Sequence, residues 1–194
     1  GIQVYDRKNG RLQWEMKLKG GVEGGVALSE DRLFFGSNNG YFYSVNLHSG
    51  HIHWKTFLGS ESLTRPLVHD KWVYHVTGNN TLYALDRKTG KSVWVKTNGA
   101  KSNMTVRGQT APVFEKGILY LGFSDGHFAA FNALNGRQLW SRKIGDDKKF
   151  NDVDGTAVLT DTCLLVPSYA NALFCLDKNS GTPLWRHEGG GFHS

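Results

Sequence analysis

Short hydrophobic stretches, each ended by a polar turn, follow one another along the chain. Four of them have the pattern of a strand, a turn and a second strand: DRLFFGSNNGYFYSVN at 31–46, and its counterparts at 71–86, 116–132 and 161–177. Asn39-Gly40, within the first stretch, is a typical hairpin turn. A shorter hydrophobic segment precedes each stretch, and a segment that contains a tryptophan follows it. The pattern predicts units of four short antiparallel strands in about 40 residues, which is the plan of a β-propeller blade.

One motif closes every unit, as in ALDRKTGKSVW at 84–94. Its five copies share an Asp or Asn, a Gly four residues later and a Trp four residues after the Gly. The Asp and Asn residues are Asp6, Asn46, Asp86, Asn132 and Asp177. The glycines are Gly10, Gly50, Gly90, Gly136 and Gly181. The tryptophans are Trp14, Trp54, Trp94, Trp140 and Trp185.

The chemistry of this motif is that of a hairpin turn rather than of a binding site. An Asp or Asn side chain can accept hydrogen bonds from the backbone N–H groups of the turn. A glycine supplies the positive φ that a turn with a bulge requires. A tryptophan is a large apolar plate with one donor, suited to lying between neighbouring sheets. Because a site is rarely built five times over, we interpret all five copies as structural.

The units predict an all-β chain that forms a single propeller domain over residues 1–194. Residues 1–18 hold only the last two strands of a blade, and four complete four-stranded blades follow at 20–59, 60–99, 105–145 and 151–189. This is a partial or half-length propeller, in which the sheet edges at either end would lack a partner. Because unpaired edges favour further pairing, we predict a homo-oligomer, specifically a dimer.

Two connections between blades depart from the repeat. The distance from the residue that opens each blade's core (Val26, Pro66, Pro112 or Ala157) to its tryptophan is always 28. The distance from the preceding tryptophan to that residue is 12, 12, 18 and 17. The extra length therefore lies in two successive connections, AKSNMTVRGQT at 100–110 and DDKKFNDVDGT at 146–156. Such connections emerge on one face of a propeller, where inserted loops often carry function. The alternative is that these two loops are tolerated surface insertions whose charged side chains pair with each other.

Charge and chemistry exclude several functions. Lys and Arg number 23 and Asp and Glu 17, but the basic residues are scattered, so we predict no nucleic-acid binding. The chain contains no apolar stretch of membrane-spanning length. His51 and His53 share a strand face, but no third ligand suggests itself, so we predict no metal. Cys163 and Cys175 are expected nearly opposite each other on consecutive strands. They either form a disulfide or pack as two small apolar side chains.

The motif ALDRKTGKSVW resembles the blade signature of the quinoprotein-type, or PQQ-like, propellers. Within that superfamily, VRGQTAPVF at 106–114 followed by FNDVDGTAVL at 150–159 is similar to the BamB family of outer-membrane assembly lipoproteins. A PQQ-dependent dehydrogenase is the enzyme alternative, but many of those enzymes use a vicinal Cys–Cys pair that this chain lacks. A propeller that binds another protein or ligand is the second alternative.

The resemblance implies a non-enzymatic scaffold without cofactor or catalytic residues. It implies a location in the periplasm, at the inner face of the outer membrane, with attachment through an N-terminal lipid absent from this sequence. The implied partner is BamA, the barrel-forming subunit, through its periplasmic POTRA domains. The residues that match the family's binding loops are Met104, Val106, Arg107, Asp152 and Asp154. Members of that family are longer, complete rings, so the way in which this propeller closes stays open.

Overall fold

The computed structural model describes residues 1–97, 110–144, 155–168 and 172–189. The chain divides into two compact units, Gly1–Val95 and Lys96–Ser194. Every regular element in the described ranges is a β-strand. None of these residues belongs to a helix with the length and apolar character needed to cross a membrane. The prediction of an all-β chain is therefore confirmed.

The first unit holds a two-stranded sheet and two four-stranded sheets, whose neighbouring strands are antiparallel and follow the order of the sequence. The two-stranded sheet, here called the half blade, consists of β1 (Ile2–Tyr5) and β2 (Leu12–Met16). Blade 1 consists of β3 (Ala27–Ser29), β4 (Arg32–Gly36), β5 (Tyr41–Asn46) and β6 (Ile52–Phe57). Blade 2 consists of β7 (Leu67–His69), β8 (Trp72–Thr77), β9 (Thr81–Asp86) and β10 (Ser92–Thr97).

The second unit holds two further four-stranded sheets of the same order. Blade 3 consists of β11 (Val113–Glu115), β12 (Ile118–Gly122), β13 (His127–Asn132) and β14 (Gln138–Lys143). Blade 4 consists of β15 (Val158–Leu159), β16 (Leu164–Ser168), β17 (Ala172–Leu176) and β18 (Pro183–Glu188). The four sheets and the half blade match the predicted units, whereas the organisation as a single domain stays a prediction.

The repeated motif forms the turn between the last two strands of each sheet, as predicted. In blade 2, Oδ1 of Asp86 accepts hydrogen bonds from the backbone N–H groups of Lys88 (3.1 Å) and Thr89 (2.8 Å). The same two bonds are present in the other four copies. The Thr89 hydroxyl, which also donates to Oδ1 at 2.8 Å, contributes most to holding the pKa of Asp86 below its ordinary value. All five glycines have a φ between +68° and +71°, which confirms their role.

The glycine of this turn has a second function that the motif alone did not reveal. The ring of Trp54 in blade 1 lies on Gly90 of blade 2, so closely that a Cβ at Gly90 would lie within 3.0 Å of ring carbons. Trp14 lies on Gly50 and Trp140 on Gly181 in the same way. Each indole is thus packed against the repeat turn of the following blade, where any side chain larger than hydrogen would collide with it.

Each of these indoles also donates a hydrogen bond across the junction between blades. Nε1 of Trp14 donates to the carbonyl oxygen of Leu47 at 2.7 Å. Nε1 of Trp54 donates to that of Arg87, and Nε1 of Trp140 to that of Lys178, both at 3.0 Å. The acceptor is always the residue directly after the Asp or Asn of the repeat turn. Because it accepts through its backbone, this residue is free to vary from copy to copy.

Salt bridges join the same junctions near the repeat turns. Arg87, which follows Asp86, donates to the hydroxyl of Ser29 (3.0 Å) and to the Glu30 carboxylate (3.1 Å) in the preceding blade. Lys178, which follows Asp177, donates to both carboxylate oxygens of Glu115 at 2.8 Å. The acidic residue lies in each case at the turn between the first two strands of its blade.

Apolar side chains fill the space between adjacent sheets within each unit. The buried cluster between blades 1 and 2 includes Phe34, Phe42 and Trp54 from one sheet, with Val73 and Leu85 from the other. The cluster between blades 3 and 4 combines large side chains of both sheets in the same way: Tyr120, Phe128, Trp140, Leu164, Val166 and Leu176. Because a four-stranded sheet cannot cover its own faces, each blade depends on its neighbour for burial.

The two cysteines form a disulfide, one of the two alternatives that the sequence left open. Cys163 directly precedes β16, Cys175 lies in β17, and their Cα atoms are 5.7 Å apart. The bond therefore links the residue before β16 to the neighbouring strand β17 within blade 4.

A substitution at the repeat turn tests the contact between indole and glycine. Gly90→Ala is expected to lower the free energy of unfolding by about 3 kcal/mol, since it adds a collision with Trp54 to the cost of a left-handed backbone. Gly10→Ala and Gly59→Ala, with φ of +68° and +84° and open space around the added Cβ, should each cost about 1 kcal/mol. Urea denaturation measures the three values, and equal losses would contradict the packing role.

Reduction of the disulfide provides an independent test of blade 4. The bond closes a loop with a sequence separation of 12, so its reduction should lower the free energy of unfolding by about 3 kcal/mol. Thiol titration of the denatured protein should find no free thiol before reduction and both thiols after it. A free thiol in the unreduced protein would contradict the bond.

Candidate partner-binding surface

The residues predicted to bind a partner lie outside the described residues. These are Met104, Val106 and Arg107 in the first long connection, and Asp152 and Asp154 in the second. The residues at which the two connections join the sheets are described, and they define where each connection begins or ends. The candidate surface is therefore built from these attachment points.

The first long connection ends at Thr110, which is buried and tied to blade 3. Its hydroxyl accepts a hydrogen bond from the backbone N–H of Gly122 at 2.6 Å and donates to the Gly122 carbonyl at 3.3 Å. Gly122 is the last residue of β12, next to the turn that leads into β13. The end of the connection is thereby held at this hairpin.

The second long connection starts after Ile144, which is attached to the same hairpin. The backbone N–H of Ile144 donates to the carbonyl of Gly126, in the turn between β12 and β13, at 2.8 Å. The Ile144 side chain is buried in the cluster between blades 3 and 4. One hairpin therefore holds the end of the first long connection and the start of the second.

The short connections of the first unit run over the corresponding turns. Leu58 donates its backbone N–H to the Gly40 carbonyl, and Gly78 donates to the Glu61 carbonyl, both at 2.8 Å. Between them lies an open, shallow groove of about 350 Å³, lined by Asn38, Asn39, Gly40, Gly59, Ser60 and Glu61. Amide and carboxylate groups dominate this lining, so the groove suits hydrogen bonding to polar or basic groups of a partner.

An exposed aromatic side chain flanks this groove. Phe57 is 62% exposed, and its ring packs on that of Tyr41 with the centroids 5.0 Å apart. The ammonium group of Lys55 lies 5.4 Å from the centre of the Tyr41 ring. Exposed aromatic residues beside a polar rim are common anchors in protein interfaces.

The sequence analysis missed Phe57, although the repeat contains a signal for it. Phe57 stands three residues after Trp54. The same position in the other copies holds Lys17, Thr97, Lys143 and Glu188. A lone aromatic residue at an otherwise polar position of a repeat indicates a role specific to that blade.

Ser62 and His75 are in contact as a catalytic nucleophile and its base would be, but their surroundings are not those of a catalytic site. Nε2 of His75 lies 2.9 Å from Oγ of Ser62. Both side chains are buried, and no described residue forms a hydrogen bond with Nδ1 of His75, whereas a catalytic triad places a carboxylate there. Burial lowers the pKa of His75 to about 3, so the ring is neutral near pH 7. We interpret the pair as a structural bond that ties the connection before β7 to β8.

No metal centre is found in the part of the chain that the structure describes. None of its His, Cys, Asp and Glu residues form a group of three or more that could hold an ion. His51 and His53 do share a face, with their rings edge to face and 6.0 Å apart.

The whole chain, residues 1–194, matches the family model described as "Outer membrane protein assembly factor BamB". The chain belongs to this family. The BamB of Yersinia pestis is 30% identical over 204 residues, which cover 96% of this chain and 52% of that protein. The BamB of Escherichia coli K12 is 29% identical over 181 residues, which cover 90% and 46%. The chain thus spans about half the length of these relatives, and the resemblance to the BamB family is confirmed.

Solved structures share the fold. The crystal structure of BamB from Moraxella catarrhalis matches with a TM-score of 0.84 at 24% identity, covering 96% of this chain and 59% of that chain. The quinohemoprotein alcohol dehydrogenase from Comamonas testosteroni matches with a TM-score of 0.74 at 16% identity, covering 87% and 35%. Likeness at these identities shows the fold alone. It confirms the predicted PQQ-like β-propeller fold of this BamB-family chain.

The buried His75 predicts how stability depends on pH. Its folded-state pKa of about 3 lies below the ordinary 6.5, so between these values the unfolded chain binds a proton that the folded chain does not. The free energy of unfolding should therefore fall as the pH falls, and this residue's share between pH 7 and 5 is about 2 kcal/mol.

His75→Leu, which copies Leu121 at the matching position of blade 3, should remove this share. Urea denaturation at both pH values measures it, and the exposed His48→Leu serves as the control. An unchanged pH dependence in His75→Leu would show that the ring is protonated as readily in the folded chain as in the unfolded one.

Proposed function

We propose that this chain is a non-enzymatic scaffold in the assembly of outer-membrane proteins. In this proposal it works in the periplasm, at the inner face of the outer membrane, and binds the POTRA domains of a BamA-like protein. Its membership of the BamB family supports the proposal, since the relatives are named as assembly factors. The fold-level likeness to a quinohemoprotein dehydrogenase adds no catalytic group, and the Ser62–His75 pair is buried.

The observation that carries the proposal is the shared attachment of the two long connections. Thr110 at the end of one and Ile144 at the start of the other are both tied to the hairpin of β12 and β13. Two inserted loops that are attached to one hairpin can bind a single partner together. Repeat proteins commonly place such insertions on the face that recognises the partner.

The residue types of the two loops suit a protein partner. An Arg107 guanidinium can form paired hydrogen bonds with a carboxylate or with backbone carbonyls of a POTRA domain. Asp152 and Asp154 can accept hydrogen bonds from N–H groups, and Met104 and Val106 can supply the apolar centre of the contact. We propose these five residues as the binding site.

Binding of the purified chain to the periplasmic domains of a BamA tests the proposal. Calorimetry should detect a complex with the wild-type chain. Arg107→Glu and Asp152→Arg should each weaken the complex at least tenfold, because each reversal places a charge of the same sign opposite the partner's charged group. Arg137→Glu makes the same charge change at an exposed residue of the repeat turn in blade 3 and should bind as the wild type does.

The two parts of the proposal fail separately. Absence of binding by the folded wild-type chain would exclude this partner. Wild-type affinity in both loop variants would support this partner but exclude the two loops as its binding site. Phe57→Ala, at the exposed aromatic residue beside the groove, would then be the next variant to measure.

A further inference from the structure

The connection between blades 1 and 2 carries a charged residue at the repeat position of two proposed contact residues. In three successive connections, the residue five positions before the one that opens the next blade's core is charged: Glu61, Arg107 and Asp152. Arg107 and Asp152 belong to the proposed binding site, whereas Glu61 lies in a short connection that the structure describes. The shared position indicates that this short connection also presents a charge to the partner.

Glu61 lines the open groove of the first unit, and backbone hydrogen bonds hold both walls of that groove. The segment that contains Glu61 is held at both ends, by the N–H of Leu58 on one side and by the N–H of Gly78, which donates to the Glu61 carbonyl, on the other. The facing hairpin turn is held at Asn38, whose N–H donates to the Gly21 carbonyl at 3.2 Å. A partner would therefore meet a preformed surface, which reduces the entropy lost on binding.

Ser62, the residue after Glu61, anchors this segment to both blades. Its buried hydroxyl lies 2.9 Å from Nε2 of His75 in blade 2. The Ser62 side chain also lies on Gly36 of blade 1, where a Cβ would collide with it. Blade 3 has Leu121 at the position of His75, so this bond is not a general feature of the repeat. The Ser62–His75 pair thereby fixes the backbone next to Glu61.

Phe57 provides an apolar contact beside the same groove. Its ring lies against Gly40 of the lining, where a Cβ would stand 3.0 Å from the ring carbon Cε2. The ring also packs on Tyr41, yet Phe57 is 62% exposed. An aromatic ring that is already held in place loses little conformational freedom when a partner covers it.

The charge of the groove favours a basic group. Glu61 is the one charged residue among the described residues that line it. The Glu23 carboxylate adjoins this lining, because it accepts a hydrogen bond from Nδ2 of Asn38 at 2.6 Å. Glu23 and Asp154 share a repeat position as well, three residues before the one that opens the next blade's core. A Lys or Arg side chain of a partner would complement these carboxylates.

We propose that Glu61 and Phe57 form a further contact for the BamA-like partner, which presents a Lys or Arg side chain to Glu61 and an apolar side chain to Phe57. This inference rests on the proposed function, because it assigns another contact to the same partner. The partner thereby contacts the same repeat position in three successive connections. The short connection contributes Glu61 without an insertion, because its groove is already formed.

Calorimetry with the periplasmic domains of a BamA tests this contact. Glu61→Lys should weaken binding about tenfold or more, because it opposes a basic group with a like charge. Glu61→Asp, which copies Asp152 at the same repeat position, should keep the affinity within about threefold, since it keeps the carboxylate. Phe57→Thr, which copies Thr97 of blade 2, should weaken binding about fivefold or more, since it removes the apolar anchor.

Salt dependence and two matched variants separate the contact from general effects. The difference between the wild type and Glu61→Lys should shrink as the salt concentration rises, because salt screens a charge contact but does not repair a folding defect. Glu15→Lys makes the same charge change at an exposed residue of the half blade. Leu134→Thr removes a 67% exposed apolar side chain from the repeat turn of blade 3. Both should bind as the wild type does, and circular dichroism confirms that every variant is folded.

The outcomes distinguish this inference from the proposed function. Absence of binding by the folded wild-type chain would overturn both. Loss of binding in Arg107→Glu, together with wild-type affinity in Glu61→Lys and Phe57→Thr, would overturn this contact alone. Equal losses in the two control variants would also overturn it, because the effect would then not depend on the groove.

Discussion

Within each unit, the tryptophan of one blade packs on the repeat turn of the next, and the packing of the sheets depends on this contact. A four-stranded sheet has two faces and cannot cover either of them alone, so the neighbouring sheet must approach closely. The indole sets the distance of approach, because its ring lies where the turn glycine would carry a Cβ. Its N–H fixes the register, because it reaches the carbonyl directly after the Asp or Asn. The same five-residue turn therefore shapes one blade and positions the blade before it.

This contact uses the backbone of the following blade, which leaves one side chain at each junction free to differ. The residue that accepts the indole N–H is Leu47, Arg87 or Lys178. Leu47 joins the apolar cluster beside the half blade, whereas Arg87 and Lys178 pair with acidic residues of the preceding blade. Exposed ion pairs add little stability, but a mismatched charge at a packed junction is unfavourable. The constant backbone contact thus provides the stacking, and the variable side chain distinguishes one junction from another.

Features that recur in every copy of the repeat could be predicted from the sequence, whereas features that occur once could not. The strands, the turns and the packing tryptophans were predictable because five copies keep the same three positions. The packing of an indole on Gly90 could not be predicted. A positive φ already explained the glycine, and the ring that covers it belongs to another blade. The Ser62–His75 bond has no counterpart elsewhere in the repeat, so no spacing pointed to it. The long connections have no copies either, and only the resemblance to a family supplied residues there.

The opposite sides of the blades carry different constraints, which explains where the chain could acquire function. The repeat turns take part in the three junctions described within the units, and a change in their length would displace an indole. The connections on the other side are fixed at their ends, as Leu58 is held by Gly40 and Ile144 by Gly126. Residues added between such fixed ends cost little, since doubling the length of a loop costs only about 0.6 kcal/mol in closure entropy. Insertions therefore accumulate on the side that does not stack, and there they can meet a partner without disturbing the propeller fold.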